Sequence, residues 1–173
     1  MRKTWVLLIA LSSLCLADAG VLDYVEPILG TPVVATSADY VAGVLEERGW
    51  TSIETGEESV SARWVGDGRD ESLTFTFTPA PTSGEIHQDI LTVDYTYVPW
   101  LELPDAVERT KEEFHRLAEA FCYLIGPGAV EASTEMWSFY WPDRESSRLE
   151  LVLAPIWDTK LTASVSLVPL REP

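Results

Sequence analysis

The 173-residue chain has no asparagine, one glutamine (Gln88), two cysteines and two histidines. Each scarcity excludes something. Without Asn there is no N-glycosylation acceptor. Two histidines, His87 and His115, are too few for a histidine-rich metal centre. Cys15 lies in the N-terminal apolar run, so loss of that run leaves Cys122 alone and no intramolecular disulfide; the fold must then rest on packing. Basic residues number 12 against 28 acidic ones, a net charge of −16, which repels nucleic acid and anionic membrane surfaces. No apolar run reaches the roughly 20 residues of a confident membrane span. No Gly-x-Ser-x-Gly elbow, His-Glu-x-x-His pair or phosphate-cradling glycine loop is present, and no motif requires a cofactor. The shortage of amide side chains, with Arg outnumbering Lys nine to three, points to a heat-adapted bacterium, although a GC-rich genome produces part of the same bias.

The first residues carry an address. Met1 to Trp5 is a short cationic head, the run from Val6 to Ala17 is apolar apart from Ser12 and Ser13, and Ala17-Asp18-Ala19 follows the small-x-small pattern. Residues 1–19 therefore read as a secretory signal peptide, cut after Ala17 or Ala19. Leu14 is too bulky before Cys15 for a lipidation site. The expected location is secreted or periplasmic, with no stable membrane span after cleavage. Cleavage after Ala19 removes Arg2, Lys3 and Asp18, leaving ten basic and 27 acidic residues and a net charge of −17. Residues 20–36, broken by Pro27, Gly30 and Pro32, form a lead-in segment. Residues 37–173 have the size of one domain.

An internal echo organises that domain. Leu91-Thr92-Val93-Asp94-Tyr95-Thr96-Tyr97-Val98-Pro99 recurs seventy residues later as Leu161-Thr162-Ala163-Ser164-Val165-Ser166-Leu167-Val168-Pro169. Both copies alternate with period two, as a half-buried strand does. At an offset of 77, Gly49 meets Gly126, Glu54 meets Glu131, Ser61 meets Ser138 and Trp64 meets Trp141. At 76, Leu73-Phe75-Phe77 meets Leu149-Leu151-Leu153. The expected fold is α+β: tandem α-β-β-β units, about 37–100 and 104–170, making an antiparallel sheet with two helices packed on one face. The first helix opens at Thr36-Ser37-Ala38-Asp39, buries Val41, Val44 and Leu45, and stops at Gly49. The second has Pro104 in its first turn. Its buried stripe is Val107, Thr110, Phe114, Leu117, Ala118, Phe121 and Ile125, with Arg109–Glu113 and Glu112–Arg116 paired outside. Single strands are expected over 53–65, bent near Gly56, and over 130–141.

Strand alternation then assigns faces. Val60, Ala62 and Trp64, matched by Trp137, Phe139 and Trp141, belong to the core. The run Trp137 to Trp141 resembles a sugar-binding platform, but its odd-numbered aromatics share the core phase. The opposite face carries Ser59, Ser61, Arg63, Thr74, Thr76, Thr92, Asp94 and Thr96, then Ser138, Tyr140, Arg148, Glu150, Thr162, Ser164 and Ser166. Hydroxyl residues are tolerated on any solvated strand surface. The sharper expectation is a docking surface with Arg63, Thr76, Tyr140, Arg148 and Ser164 as its contact residues, Arg and Tyr being common anchors.

Two other features could carry chemistry. Glu85, His87 and Asp89 alternate, so an extended backbone would aim all three one way, toward a divalent metal; the second half has no counterpart, and a solvated loop explains them as well. Cys122 aligns with the core position Leu45 and reads as a small buried hydrophobe. The expected function is an exported, non-catalytic protein of the bacterial cell envelope that binds a protein or other extracytoplasmic partner through the open sheet face. The alternative is a small metal-assisted hydrolase using Glu85, His87 and Asp89. Oligomeric state is left open.

Overall fold

A computed structural model describes residues 25–31, 37–78, 90–126, 128–133, 135–144, 147–157 and 159–169. The expected signal peptide and residues 85–89 lie outside them. The described chain runs α1 (Glu26–Leu29), α2 (Ala38–Glu47), β1 (Thr51–Thr55), β2 (Ser59–Gly66), β3 (Arg69–Phe77), β4 (Ile90–Pro99), α3 (Ala106–Ile125), β5 (Ala129–Ala132), β6 (Trp137–Arg144), β7 (Ser147–Ile156) and β8 (Lys160–Pro169). It is a mixed α+β fold. All eight strands join one antiparallel sheet in the order β1-β2-β3-β4-β8-β7-β6-β5.

Two segments expected as single strands are hairpins. Around Gly56 the chain turns back, with the Gly56 N–H donating to the Ser59 carbonyl at 2.7 Å, so 53–65 divides into β1 and β2. Around Ser133 the Ser133 N–H donates to the Met136 carbonyl at 2.8 Å, and its hydroxyl accepts from the Met136 amide at 3.1 Å. Short polar side chains that bond nearby backbone favour turns over strand continuation. The helix starts differ less. Ser37 caps α2, accepting from the Tyr40 amide at 3.1 Å. Pro104 precedes the cap residue Asp105 of α3 instead of lying inside its first turn. The two expected side-chain pairs on α3 change partners: Arg109 pairs with Asp105, one turn before it, and Arg116 with Glu113 in place of Glu112.

Among the described residues one buried cluster runs from Val25 and Ile28 to Val165. It takes Val41 and Leu45 from α2, Phe114, Leu117 and Phe121 from α3, and the alternate residues Leu73, Phe75, Phe77, Leu149, Leu151 and Leu153 from β3 and β7. Each such side chain contributes about 1.5–3 kcal/mol when removed from water. Trp141 is buried, and its indole N–H donates to the Gly126 carbonyl at 2.8 Å. A β-carbon at Gly128 would lie 2.6 Å from that indole, so glycine is needed there. Trp137, expected in the core, lies at its margin with 36% of its surface exposed. It reaches Phe114 edge-on, 5.7 Å between ring centres, while its cross-strand neighbour on the outer strand β5 is only the small, exposed Ala132.

Candidate functional site

Strand register arranges the Ser/Thr residues in rows. Ser59 pairs with Thr76, Thr76 with Thr92, Thr92 with Ser166, Ser166 with Glu150 and Glu150 with Tyr140. The next row runs Ser61, Thr74, Asp94, Ser164, Val152 and Ser138. Six strands at the usual spacing span about 24 Å. Apart from buried Ser138, these side chains are exposed or half-exposed.

The expected contact residues all lie on this lattice, in two settings. Tyr140 and Arg148 come together, with the Arg148 guanidinium 4.6 Å from the centre of the Tyr140 ring and its terminal nitrogen 3.8 Å from Glu150. The buried Nε of Arg148 has no hydrogen-bond partner. Arg63 sits at the far end and is taken up by Asp70, donating from Nε to Oδ1 at 2.9 Å. That hydrogen bond, reinforced by the guanidinium charge, holds the Asp70 carboxyl below its ordinary range against a smaller opposing effect of burial. Thr76 and Ser164 occupy adjacent rows between these fixtures. Phenol, guanidinium and hydroxyl groups in this array suit recognition; none of them pairs a nucleophile with a base.

A second site lies against the sheet's other face. A cleft of about 670 Å³ is walled by β3, β4, α3 and the end of α1, and lined by Arg69, Glu71, Tyr95, Tyr97, Asp105, Arg109, Glu112, Glu113 and Arg116 with Ile28, Leu29 and Gly30. Tyr95 is its centre. Its hydroxyl stands 3.0 Å from Glu71 Oε2 and 3.0 Å from Glu113 Oε1, and shares its single proton between the two acceptors. Burial first, then the fields of Glu113 and Glu71, push the Tyr95 phenol far above its ordinary value, so it remains a donor. Tyr97 is shifted upward too, chiefly by burial.

Each carboxylate has its own arginine. Arg69 donates to Glu71, and Arg116 donates from Nε to Glu113 Oε2 at 2.7 Å and from Nη1 to the Pro27 carbonyl at 2.8 Å. Burial works against both guanidinium charges, but the hydrogen bonds and fields of Glu71 and Glu113 outweigh it and raise both values. Arg69 also lies over the Trp64 ring at 4.7 Å. Arg109 spans Asp105, at 2.9 Å, and the Asp67 carbonyl, at 3.0 Å.

The cleft is absent from the sequence-based expectations, although a signal existed. Arg69 and Glu71 share the alternation of Leu73, Phe75 and Phe77, and charge in the phase of a buried face demands partners. Glu85, His87 and Asp89 lie outside the described residues; among the described residues no three His, Cys, Asp or Glu groups come together as metal ligands. Cys122 is half-buried against the core. No described helix is long and apolar enough to cross a membrane. Comparison with known proteins found no matching family model, curated protein or solved structure.

Proposed function

We propose that the chain is an exported, non-catalytic protein of the bacterial cell envelope that holds a protein partner on its hydroxyl-rich sheet face. The observation that carries this reading is the register of that face: Ser59, Thr76, Thr92 and Ser166 form an unbroken hydroxyl row across β2, β3, β4 and β8, which continues through Glu150 to Tyr140 and its stack with Arg148. The N-terminal charge and hydropathy pattern supports export, and the 28 acidic residues against 12 basic ones disfavour nucleic acid as the partner. Crosslinking of the processed protein in its own cell envelope tests the reading. Thr76→Arg and Ser164→Arg are expected to abolish partner capture while changing stability by no more than about 0.5 kcal/mol. Crosslinked partners that survive both substitutions would sink it. Intact mass of the envelope protein tests export separately: a product retaining Met1 counts against it.

We also read the two halves as copies of one unit, with both helices on the core side of the sheet. Ladder register supports this. Advancing β1 and β2 by 77 residues, β3 by 78 and β4 by 70 turns Thr55–Val60 into Ala132–Trp137, Val60–Phe75 into Trp137–Leu153, and Phe75–Val93 into Leu153–Ala163, all observed pairs. On this reading the match for β3 is 78 where sequence suggests 76; a two-residue slip preserves the faces, so hydropathy cannot detect it. Asp94 pairs with its own counterpart Ser164, which puts a local two-fold axis between them. For the helices, the support is that Val41 and Leu45 join Phe114, Leu117 and Phe121 in one buried cluster.

A further inference from the structure

We propose that the cleft between the sheet and α3 binds a small oxyanion ligand, a carboxylate or a phosphate, through Arg69 and Arg109. Its volume of about 670 Å³ falls in the range of small-molecule sites, about 300–1,000 Å³. In a chain with only 12 basic residues, three arginines line this one cleft. Four carboxylates line it as well, Glu71, Asp105, Glu112 and Glu113, and all but the exposed Glu112 are engaged, Asp105 by Arg109. Glu71 accepts from Arg69 and Tyr95, and Glu113 accepts from Arg116 and Tyr95. What the cleft still offers is donor capacity.

A guanidinium has five N–H groups. Arg116 uses all three of its nitrogens, on Glu113 and on the Pro27 carbonyl, and its work is to tie α1 to α3. Arg69 uses Nε on Glu71, and Arg109 uses Nε on Asp105 and Nη1 on the Asp67 carbonyl. Among the described residues these bonds leave terminal N–H groups of Arg69 and Arg109 for a ligand. Both guanidiniums are held in advance, Arg69 by the Trp64 ring and Arg109 by its two partners, so little side-chain freedom is lost on binding. Planar N–H forks fit carboxylate and phosphate oxygens. Glu112 at the lip and the net charge of −16 oppose polyanions, which restricts the ligand to a small one and makes its binding sensitive to salt.

Titration calorimetry and thermal melting of the processed protein at low ionic strength test this, with inorganic phosphate and succinate as separate probes and chloride as the ionic-strength control. Saturable binding of one probe at millimolar concentration or tighter is expected, with a rise in Tm, and the responding arm identifies the chemistry. Arg69→Gln and Arg109→Gln should each weaken it at least tenfold, whereas Arg48→Gln, which removes an exposed arginine at the end of α2 outside the cleft, should leave it unchanged. If Arg69→Gln does not fold, Arg109→Lys, which keeps the charge and loses the fork, should still weaken binding several-fold. No saturable binding of either probe, an equal rise in Tm with chloride, or unchanged affinity in the folded Arg109 variants would overturn the proposal.

Discussion

At the scale of single residues, Tyr95 decides the most. Its hydroxyl joins β3 to α3 through Glu71 and Glu113, and Tyr95→Phe leaves both carboxylates one donor short. Loss of about 1–3 kcal/mol at neutral pH is expected by urea denaturation. The pH dependence has a definite sign. The folded phenol is held above its unfolded value, so this stabilisation is complete below the unfolded pKa near 10 and declines as pH rises beyond it. Above pH 10 the wild type should therefore lose stability more steeply than Tyr95→Phe, by up to about 1.4 kcal/mol per pH unit. Parallel slopes would show that Tyr95 is not the titrating group. Asp70 behaves oppositely: its carboxyl is held low by Arg63, so its contribution is present above the ordinary carboxylate range and lost as pH falls through the folded value. Thermal melts should show the stability gap between wild type and Asp70→Asn closing on acidification.

At the scale of elements, turns and helix stripes set the geometry. Gly66 pairs with Arg69 across a two-residue turn in which Asp67 has φ 47° and Gly68 φ 80°, the combination that matches the twist of paired strands. A side chain at Gly68 would be strained there and would also meet Leu103 at 2.6 Å. Gly68→Ala should cost about 1–2 kcal/mol, measurable by chemical denaturation, and unchanged stability would show that the turn tolerates another form. On α3, Leu117 is fully buried, and Leu117→Ala should cost about 2–5 kcal/mol. The same helix carries the charged wall of the cleft on Arg109, Glu113 and Arg116, three or four residues apart and hence on one face. An apolar stripe against the core and a charged stripe beside it let one helix serve both packing and the site.

At the scale of the whole molecule, the β4–β8 ladder unites the halves. Its six pairs, from Thr92–Ser166 to Tyr97–Leu161, make one sheet, and the buried cluster crosses it without interruption. The chain should therefore unfold in a single transition, with circular dichroism and tryptophan fluorescence coinciding; two separated transitions would mean that each half folds by itself. Because Asp94 and Ser164 face each other at the centre, Ser164→Asp sets like charges opposite and should cost about 0.2–1 kcal/mol, recovered at high salt. The cleft also belongs to this scale, since Arg116 bonds to Pro27, 89 residues earlier.

Period-two alternation in Leu73-Phe75-Phe77 and Leu149-Leu151-Leu153, the apolar stripe of α3 and the hydroxyl-rich start of α2 at Thr36-Ser37 are local patterns, so the sequence by itself determined the α+β class, the strand faces and most helix limits. It also placed Thr76, Tyr140, Arg148 and Ser164 on one surface, because side-chain direction follows from counting along a strand. Counting could not reveal the hairpins at Gly56 and Ser133, since a turn and a bend differ only in which strand accepts the next backbone bond. Nor could it settle the β3 register, where slips of two residues look alike. The cleft required residues 71, 95, 113 and 116 to converge, and a buried charge reads in sequence as a break in a pattern until its partner arrives in space. Tertiary structure alone decided that meeting: only the packed sheet and helix bring Glu71 and Glu113 to opposite sides of one hydroxyl.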